Sequence, residues 1–261
     1  MGVPSFFWYI RSRYPTVIER VTTTSMLSQC DNLFIDVNAI IHDITHNDTT
    51  VAVNMPYEIL ASRLMKEMDR IIMLLNPQKL IYIAVDGPVP RSKMNQQRER
   101  RFMAAQELIQ QSYTFKSEMI FDSNSISPGT PLMEKMNQIL QYYISLRLSS
   151  DPVWKKLTVL YSSHRHPGEG EHKIMNYLRQ SIQSGQYNEN DRSIVFGSDA
   201  DLILLMLTLH KRNVNVMRKA GISGNSNGIR SSNPDVGLLI IPHFVELFYH
   251  QYWNSVRVSR S

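Results

Sequence analysis

Unbroken apolar runs along this chain alternate with segments whose apolar residues recur every three or four positions. "NLFIDVNAII" (32–41) is the first such run and reads as a buried strand closing on Asp36 and Asn38. "KLIYIAVDG" (79–87), "LTVLYSSH" (157–164) and the start of "SIVFGSDADLILLMLTLH" (193–210) read as a second, third and fourth strand, the last running into a helix. Between them, "PYEILASRLMKEMDRIIMLL" (56–75) and "LMEKMNQILQYYISLRL" (132–148) carry helical spacing, with Pro56 at a first helical position. "HPGEGEHKIMNYLRQSI" (166–182) predicts a loop turning into a helix, and "FDSNSISPGTP" (121–131) a turn-rich loop. Residues 5–21 predict an amphipathic helical start interrupted at Pro15. "VNVMRK" (214–219) and "GLLIIP" (237–242) predict further strands around a mobile Gly/Ser/Asn-rich loop at 220–235, and a last helix follows at 243–253. Wholly apolar strands alternating with helices predict an α/β fold, a mostly parallel twisted sheet flanked by helices. With no internal repeat or linker, residues 1–261 read as one domain.

Composition narrows the class. Hydrophobic residues make up 43% and charged residues 20%, so a sizeable core is available and disorder is not the default. The formal net charge of +5 permits an anionic partner without requiring one. Cys30 is the only cysteine, which excludes an intrachain disulfide and cysteine-rich zinc sites. The longest apolar run, "LILLML" at 202–207, is far short of a membrane span of about 20 residues. The start "MGVPSF" carries Phe6 where a myristoylation pattern has Ser or Thr. The expectation is a soluble intracellular protein without a membrane partner, cytoplasmic, with a nuclear place left open.

The acids share a position. Asp36 ends the first strand and Asp86 the second, Glu169 and Glu171 follow the third, and Asp199 and Asp201 follow the fourth. In open α/β sheets, ligands bind outside the carboxyl ends of the strands. A lone Asp after a strand is usually the N-cap of the next helix, and Asp199 in particular looks like one, with Ser198 competing. Acids at four successive strand ends are harder to dismiss. Six carboxylates in one place repel one another unless a cation offsets them. All-oxygen ligands favour hard divalent ions, Mg²⁺ or Mn²⁺, and six acids suit two ions about 4 Å apart, a phosphodiesterase arrangement.

Directly after the second strand, "PRSKMNQQRERR" (90–101) holds five basic side chains, three amides and one acid. On a helix beginning near Arg91, Lys93, Gln97, Arg100 and Arg101 lie on one face. Guanidinium forks, an ammonium and an amide suit a terminal phosphate. A solvated helix face and a generic backbone-binding surface are the blander readings.

The segments "MGVPSFFWYIRSRYP", "NLFIDVNAIIH", "AVDGPVPRSKMNQQRERRF", "FDSNSISPGT", "HPGEGEHKIMNYLR" and "FGSDADLILLML" fall in order over residues 1 to about 210. Together they resemble the 5′→3′ exoribonuclease family of the XRN type. The resemblance implies a PIN/flap-nuclease-like core and two-metal hydrolysis of single-stranded RNA from a 5′-monophosphate end. It places the metal-binding, catalytic acids on Asp36, Asp86, Glu169, Glu171, Asp199 and Asp201, and the 5′-phosphate pocket on Lys93, Gln97, Arg100 and Arg101. The family's base-stacking histidine falls on His42, which alone would read as a satisfied, half-buried side chain. A Gly-Asn-Asp motif with a further metal-binding Asp has no match here. After Asp201 the only acids are Asp235 and Glu246, so a protein partner that completes the site is a further expectation.

Three readings follow. The leading one is an active exoribonuclease; the rivals are a catalytically weak or inactive RNA 5′-end-binding protein with a degenerate nuclease fold, and a flap-type endonuclease. A pure binder gains nothing from clustered negative charge beside a phosphate, and a terminal-phosphate grip is useless for internal cuts.

Overall fold

Apolar runs become strands here where a polar residue or a cap stops them, and the caps set where the acids stand. The computed structural model describes residues 6–21, 30–45, 56–112, 121–219 and 236–239. The expected loop at 220–235, the helix at 243–253, and Asp235 and Glu246 lie outside the described residues. The chain divides into two units, residues 35–174 and residues 1–34 with 175–261.

The unit of residues 35–174 begins in the strand β2 (Asn32–Asp36), which gives way at once to the helix α2 (Val37–Thr45). The expected strand over 32–41 is therefore corrected: its second half is helical. The Asp36 carboxylate accepts from the Asn38 amide at 3.2 Å and caps α2, turning the chain one residue past the strand. An apolar run that short cannot be assigned to strand or helix by periodicity alone. The helix α3 (Tyr57–Leu75) follows, with Pro56 at the capping position just before it rather than inside its first turn. Leu60, Leu64, Met68, Ile71 and Leu75 form its buried seam. It ends on Asn76 in the left-handed conformation at φ 42°, whose amide closes on the Ile72 carbonyl.

The strand β3 (Leu80–Ala84), the helix α4 (Arg91–Ser112), the helix α5 (Pro131–Ser150) and the strand β4 (Thr158–Ser162) complete this unit, together with the first turn of the helix α6 (Gly170–Gln183). β3 and β4 run parallel, Leu80 opposite Thr158 through Ala84 opposite Ser162. Parallel neighbours put their carboxyl ends at the same edge, so the loops after Ala84 and after Ser162 emerge together. α5 is capped by the Thr130 hydroxyl, which accepts from the Met133 amide. It is tied to α3 by Asp69, which accepts from the Tyr143 hydroxyl at 2.7 Å and pairs with Arg147. Tyr143 packs edge-on against Trp154 at 5.5 Å between centroids.

The other unit holds the helix α1 (Phe6–Arg13), the strand β1 (Ile18–Val21), the first residues of β2, the remainder of α6, the strand β5 (Ser193–Phe196), the helix α7 (Ala200–Leu207) and the strands β6 (Val214–Lys219) and β7 (Val236–Leu239). The expected helical start over 5–21 is corrected here: after a short turn at Pro15–Val17 the chain becomes β1. β1 pairs antiparallel with β7, β7 antiparallel with β6, and β6 parallel with β5. Paired to β7, "IERV" finds in another strand the hydrogen-bond partners it would otherwise find within a helix. Around Asp31, two backbone bonds to the Arg192 carbonyl and one from the Arg192 amide to the Asp31 carboxylate hold the start of β2 to the start of β5. Cys30 is buried, and burial pushes its thiol up to about 12. No helix among the described residues is long and apolar enough to cross a membrane.

Beyond β4, the His164 ring is 5% exposed with Nε2 3.4 Å from Glu134. Burial holds its pKa below the ordinary 6.5, against the pull of the carboxylate. As pH falls the unfolded chain takes the proton first. The stability contributed by the neutral ring is therefore full above 6.5 and lost below it. Thermal unfolding followed from above pH 7 to about 5.5 should lose less stability in His164→Gln than in the parent chain.

Candidate metal and phosphate site

Two loops built on backbone contact form the floor of the site. The Gly87 amide donates to the Gly168 carbonyl at 2.8 Å, and the Gly168 amide returns a bond to the Pro88 carbonyl at 2.9 Å. This zips "DGP" after β3 to "HPGEGE" after β4. The approach demands glycine twice: a Cβ on Gly87 would fall on the His166 carbonyl, and Gly168 stands at φ +103°. Lys173, buried on α6, locks the arrangement from below. Its ammonium donates to the Val85 carbonyl at 2.6 Å and the Ser163 carbonyl at 2.8 Å, one bond to each strand end. Burial lowers its pKa to about 8, with Asp86 opposing.

On this floor stand four acids. Asp36 and Glu171 are buried, while Asp86 and Glu169 are half-buried. The Asn38 side chain accepts from the Asp86 amide at 3.0 Å, which ties the start of α2 to the end of β3. The Gly170 amide, at the N-terminus of α6, donates to Asp86 Oδ1 at 2.6 Å. A Cβ on Gly170 would lie 2.6 Å from Asp36 Oδ1 and 3.4 Å from Asp86 Oδ1. Both aspartate oxygens thus crowd one point, directly between the two glutamates in the chain. The absent side chain at 170 is what lets Asp36 and Asp86 come this close to the start of α6. Glu169, Glu171 and His172 each offer a ligand atom within 4.8 Å of the others. Hard oxygen donors in this number fit a divalent cation. An ammonium already stands at one of them: Lys93 Nζ lies 2.6 Å from Glu169 Oε2.

Asp199 and Asp201 belong to the other unit. Asp199 is exposed at the N-terminus of α7, where its side chain makes no capping hydrogen bond, so the plain capping reading is not realised. It attracts the Arg218 guanidinium, whose pKa burial lowers. Asp201 lies half-buried in the first turn of α7.

The basic stripe lies on α4 from its third residue, and none of the α4 residues from 91 to 110 is buried. Lys93 and Gln97 are half-buried; Arg100 and Arg101 are exposed. His42, in the last turn of α2, is exposed rather than half-buried. Sequence reasoning missed Asn38 as a tie, Gly170 as a cradle, and Lys173 and His172 altogether. Lys173 left a signal, a lysine directly before the apolar pair Ile174–Met175.

Acids gathered beyond the carboxyl ends of parallel strands, in an α/β fold flanked by helices, define a PIN-like nuclease core. A sequence model of the family described as XRN 5'-3' exonuclease N-terminus matches residues 1–220. The chain belongs to that family. It is 38% identical over 240 residues to 5'-3' exoribonuclease 1 of Saccharomyces cerevisiae, covering 89% of this chain and 16% of that protein. It is 36% identical over 243 residues to 5'-3' exoribonuclease 1 of Homo sapiens, covering 90% and 14%. To 5'-3' exoribonuclease 2 of Gallus gallus it is 36% identical over 255 residues, covering 84% and 27%. The chain thus spans less than a third of the length of these relatives.

Gly170→Ala tests the cradle. The added methyl should push Asp36 away from Asp86 and lower divalent-cation affinity at least tenfold by calorimetric titration, comparable to the loss of a supporting group around a metal. Thermal unfolding in EDTA should move little, because alanine suits a helix better than glycine.

Proposed function

We propose that the chain hydrolyses single-stranded RNA from a 5′-monophosphate end, 5′→3′, with divalent cations held by its acids. The observation that carries the reading is the Lys93–Glu169 pair at 2.6 Å. The first residue of the basic stripe touches the acidic cluster, so a terminal phosphate gripped by Lys93, Gln97, Arg100 and Arg101 would lie beside the carboxylates. The names of the relatives support the direction and the nucleic acid.

In this reading Asp36, Asp86, Glu169 and Glu171 hold the cations. In the other unit, Asp199 and Asp201 follow β5 as Asp86 follows β3. When bound, two Mg²⁺ or Mn²⁺ ions supply Lewis acidity to the attacking water and the leaving oxygen. Lys93 exchanges Glu169 for the 5′ phosphate as a cation takes the carboxylate. Arg100 and Arg101, exposed and always charged, hold the phosphate's other oxygens. His42, exposed, offers its ring face to the first base. Water forms the new bond to the phosphorus of the next phosphodiester, and the bond from that phosphorus to the 3′ oxygen breaks. The 3′ oxygen leaves as a hydroxyl on a nucleoside 5′-monophosphate. The remaining strand carries a new 5′ phosphate, the same group the stripe is built to hold.

End-labelled RNA carrying 5′-phosphate, 5′-triphosphate or 5′-hydroxyl, incubated with Mg²⁺, Mn²⁺ or EDTA, tests the proposal. Mononucleotides from the 5′-phosphate substrate, lost in EDTA, are expected. Internal fragments would point to an endonuclease, and an unchanged but retained strand to a binding protein. Glu171→Gln should abolish cleavage and leave binding intact. Lys93→Ala should lose about 1.5–3 kcal/mol on the 5′-phosphate substrate, roughly tenfold or more in rate, and far less on 5′-hydroxyl RNA. Equal losses on both would mark Lys93 as a general backbone contact.

A further inference from the structure

We infer that His172 is a further ligand of the carboxylate site, an imidazole donor that biases the site towards a transition-series divalent cation. The inference rests on the proposed reading of the acids as a cation site.

His172 Nε2 stands 3.9 Å from Glu169 Oε2 and 3.9 Å from Glu171 Oε1. These distances are too long for hydrogen bonds. Adjacent donors about 2.1 Å from an octahedral ion stand about 3.0 Å apart, so the ring would swing inward by about 1 Å to join the two carboxylates on one ion. The three ligand atoms lie within 4.8 Å of one another, so a single ion can reach all three.

The setting fits a ligand that closes the shell. Glu171 is 8% exposed and fixed beneath, whereas the His172 ring is 50% exposed and lies on the outer side. A ring so placed can rotate to complete coordination without disturbing the floor. Glu169 Oε2, 3.9 Å from His172 Nε2, already carries the Lys93 ammonium, so this carboxylate is one that takes a cationic partner. Imidazole adds little for Mg²⁺, which prefers oxygen, and more for Mn²⁺ and the later divalent metals. One nitrogen among carboxylates therefore gives the chain a preference that its acids alone would not.

The test is spectroscopic and does not depend on turnover. Mn²⁺ is titrated into the whole chain and into His172→Ala, and the bound ion is examined by electron spin echo envelope modulation. The expected result is ¹⁴N modulation in the parent chain, its loss in His172→Ala, about tenfold weaker Mn²⁺ binding in the variant, and Mg²⁺ binding changed less than twofold. His172 is exposed on a helix, so alanine should leave the fold intact, as circular dichroism would confirm. Mn²⁺ bound tightly in both proteins without ¹⁴N modulation, or with modulation that survives in His172→Ala, would overturn the inference while the carboxylate site stands. No Mn²⁺ bound to either protein would overturn both readings.

Discussion

The contact between the loop after β3 and the loop after β4 is the constraint on which the rest of the site depends. Two polypeptide backbones meet there with no side chain between them. Gly87 has no room for a Cβ against the His166 carbonyl, and the reciprocal bonds between Gly87, Pro88 and Gly168 leave no slack. The consequence is positional. Asp86 and Gly170 come from segments 84 residues apart, yet the Gly170 amide bonds the Asp86 carboxylate directly. Glu169 and Glu171 flank that glycine and are carried in with it.

Charge balance then explains the lysines. Four carboxylates in a partly buried space repel one another and lose hydration. Lys173 offsets them from beneath while closing two strand ends. Lys93 offsets them from the side of α4. The two ammoniums differ in mobility. Lys173 is buried with both of its carbonyl partners fixed in the backbone, so it acts as part of the scaffold. Lys93 lies half-buried on a helix with no buried residue from 91 to 110, so its ammonium is held less firmly than that of Lys173. Under the proposed function, Lys173 serves the scaffold and Lys93 the arriving phosphate.

Helix ends serve twice in this molecule. Asp36 caps α2 with one oxygen and crowds Gly170 with that same oxygen, so capping and clustering are not alternatives. The ordinary reading of a post-strand aspartate is therefore correct for Asp36 and incomplete. Asp199 shows the reverse: it holds a capping position without making the capping bond. A carboxylate spared from its local task keeps its lone pairs for another.

The sequence alone determined the α/β class, the order of strands and helices apart from β1 and α2, and the acids at strand ends, because apolar period and strand-end chemistry are local properties. It determined the basic stripe as well, since residues three and four apart on a helix share a face whatever surrounds them. It did not determine where the run at 32–41 changes from strand to helix, nor that 18–21 is a strand, because each depends on a partner: a cap in one case, β7 in the other. Only the tertiary structure decided that Gly170 is a cradle, that Lys173 is a clamp, and that Lys93 faces Glu169. Those roles arise from loops that approach across 80 or so residues of chain, and no local pattern encodes the distance between atoms that far apart in sequence.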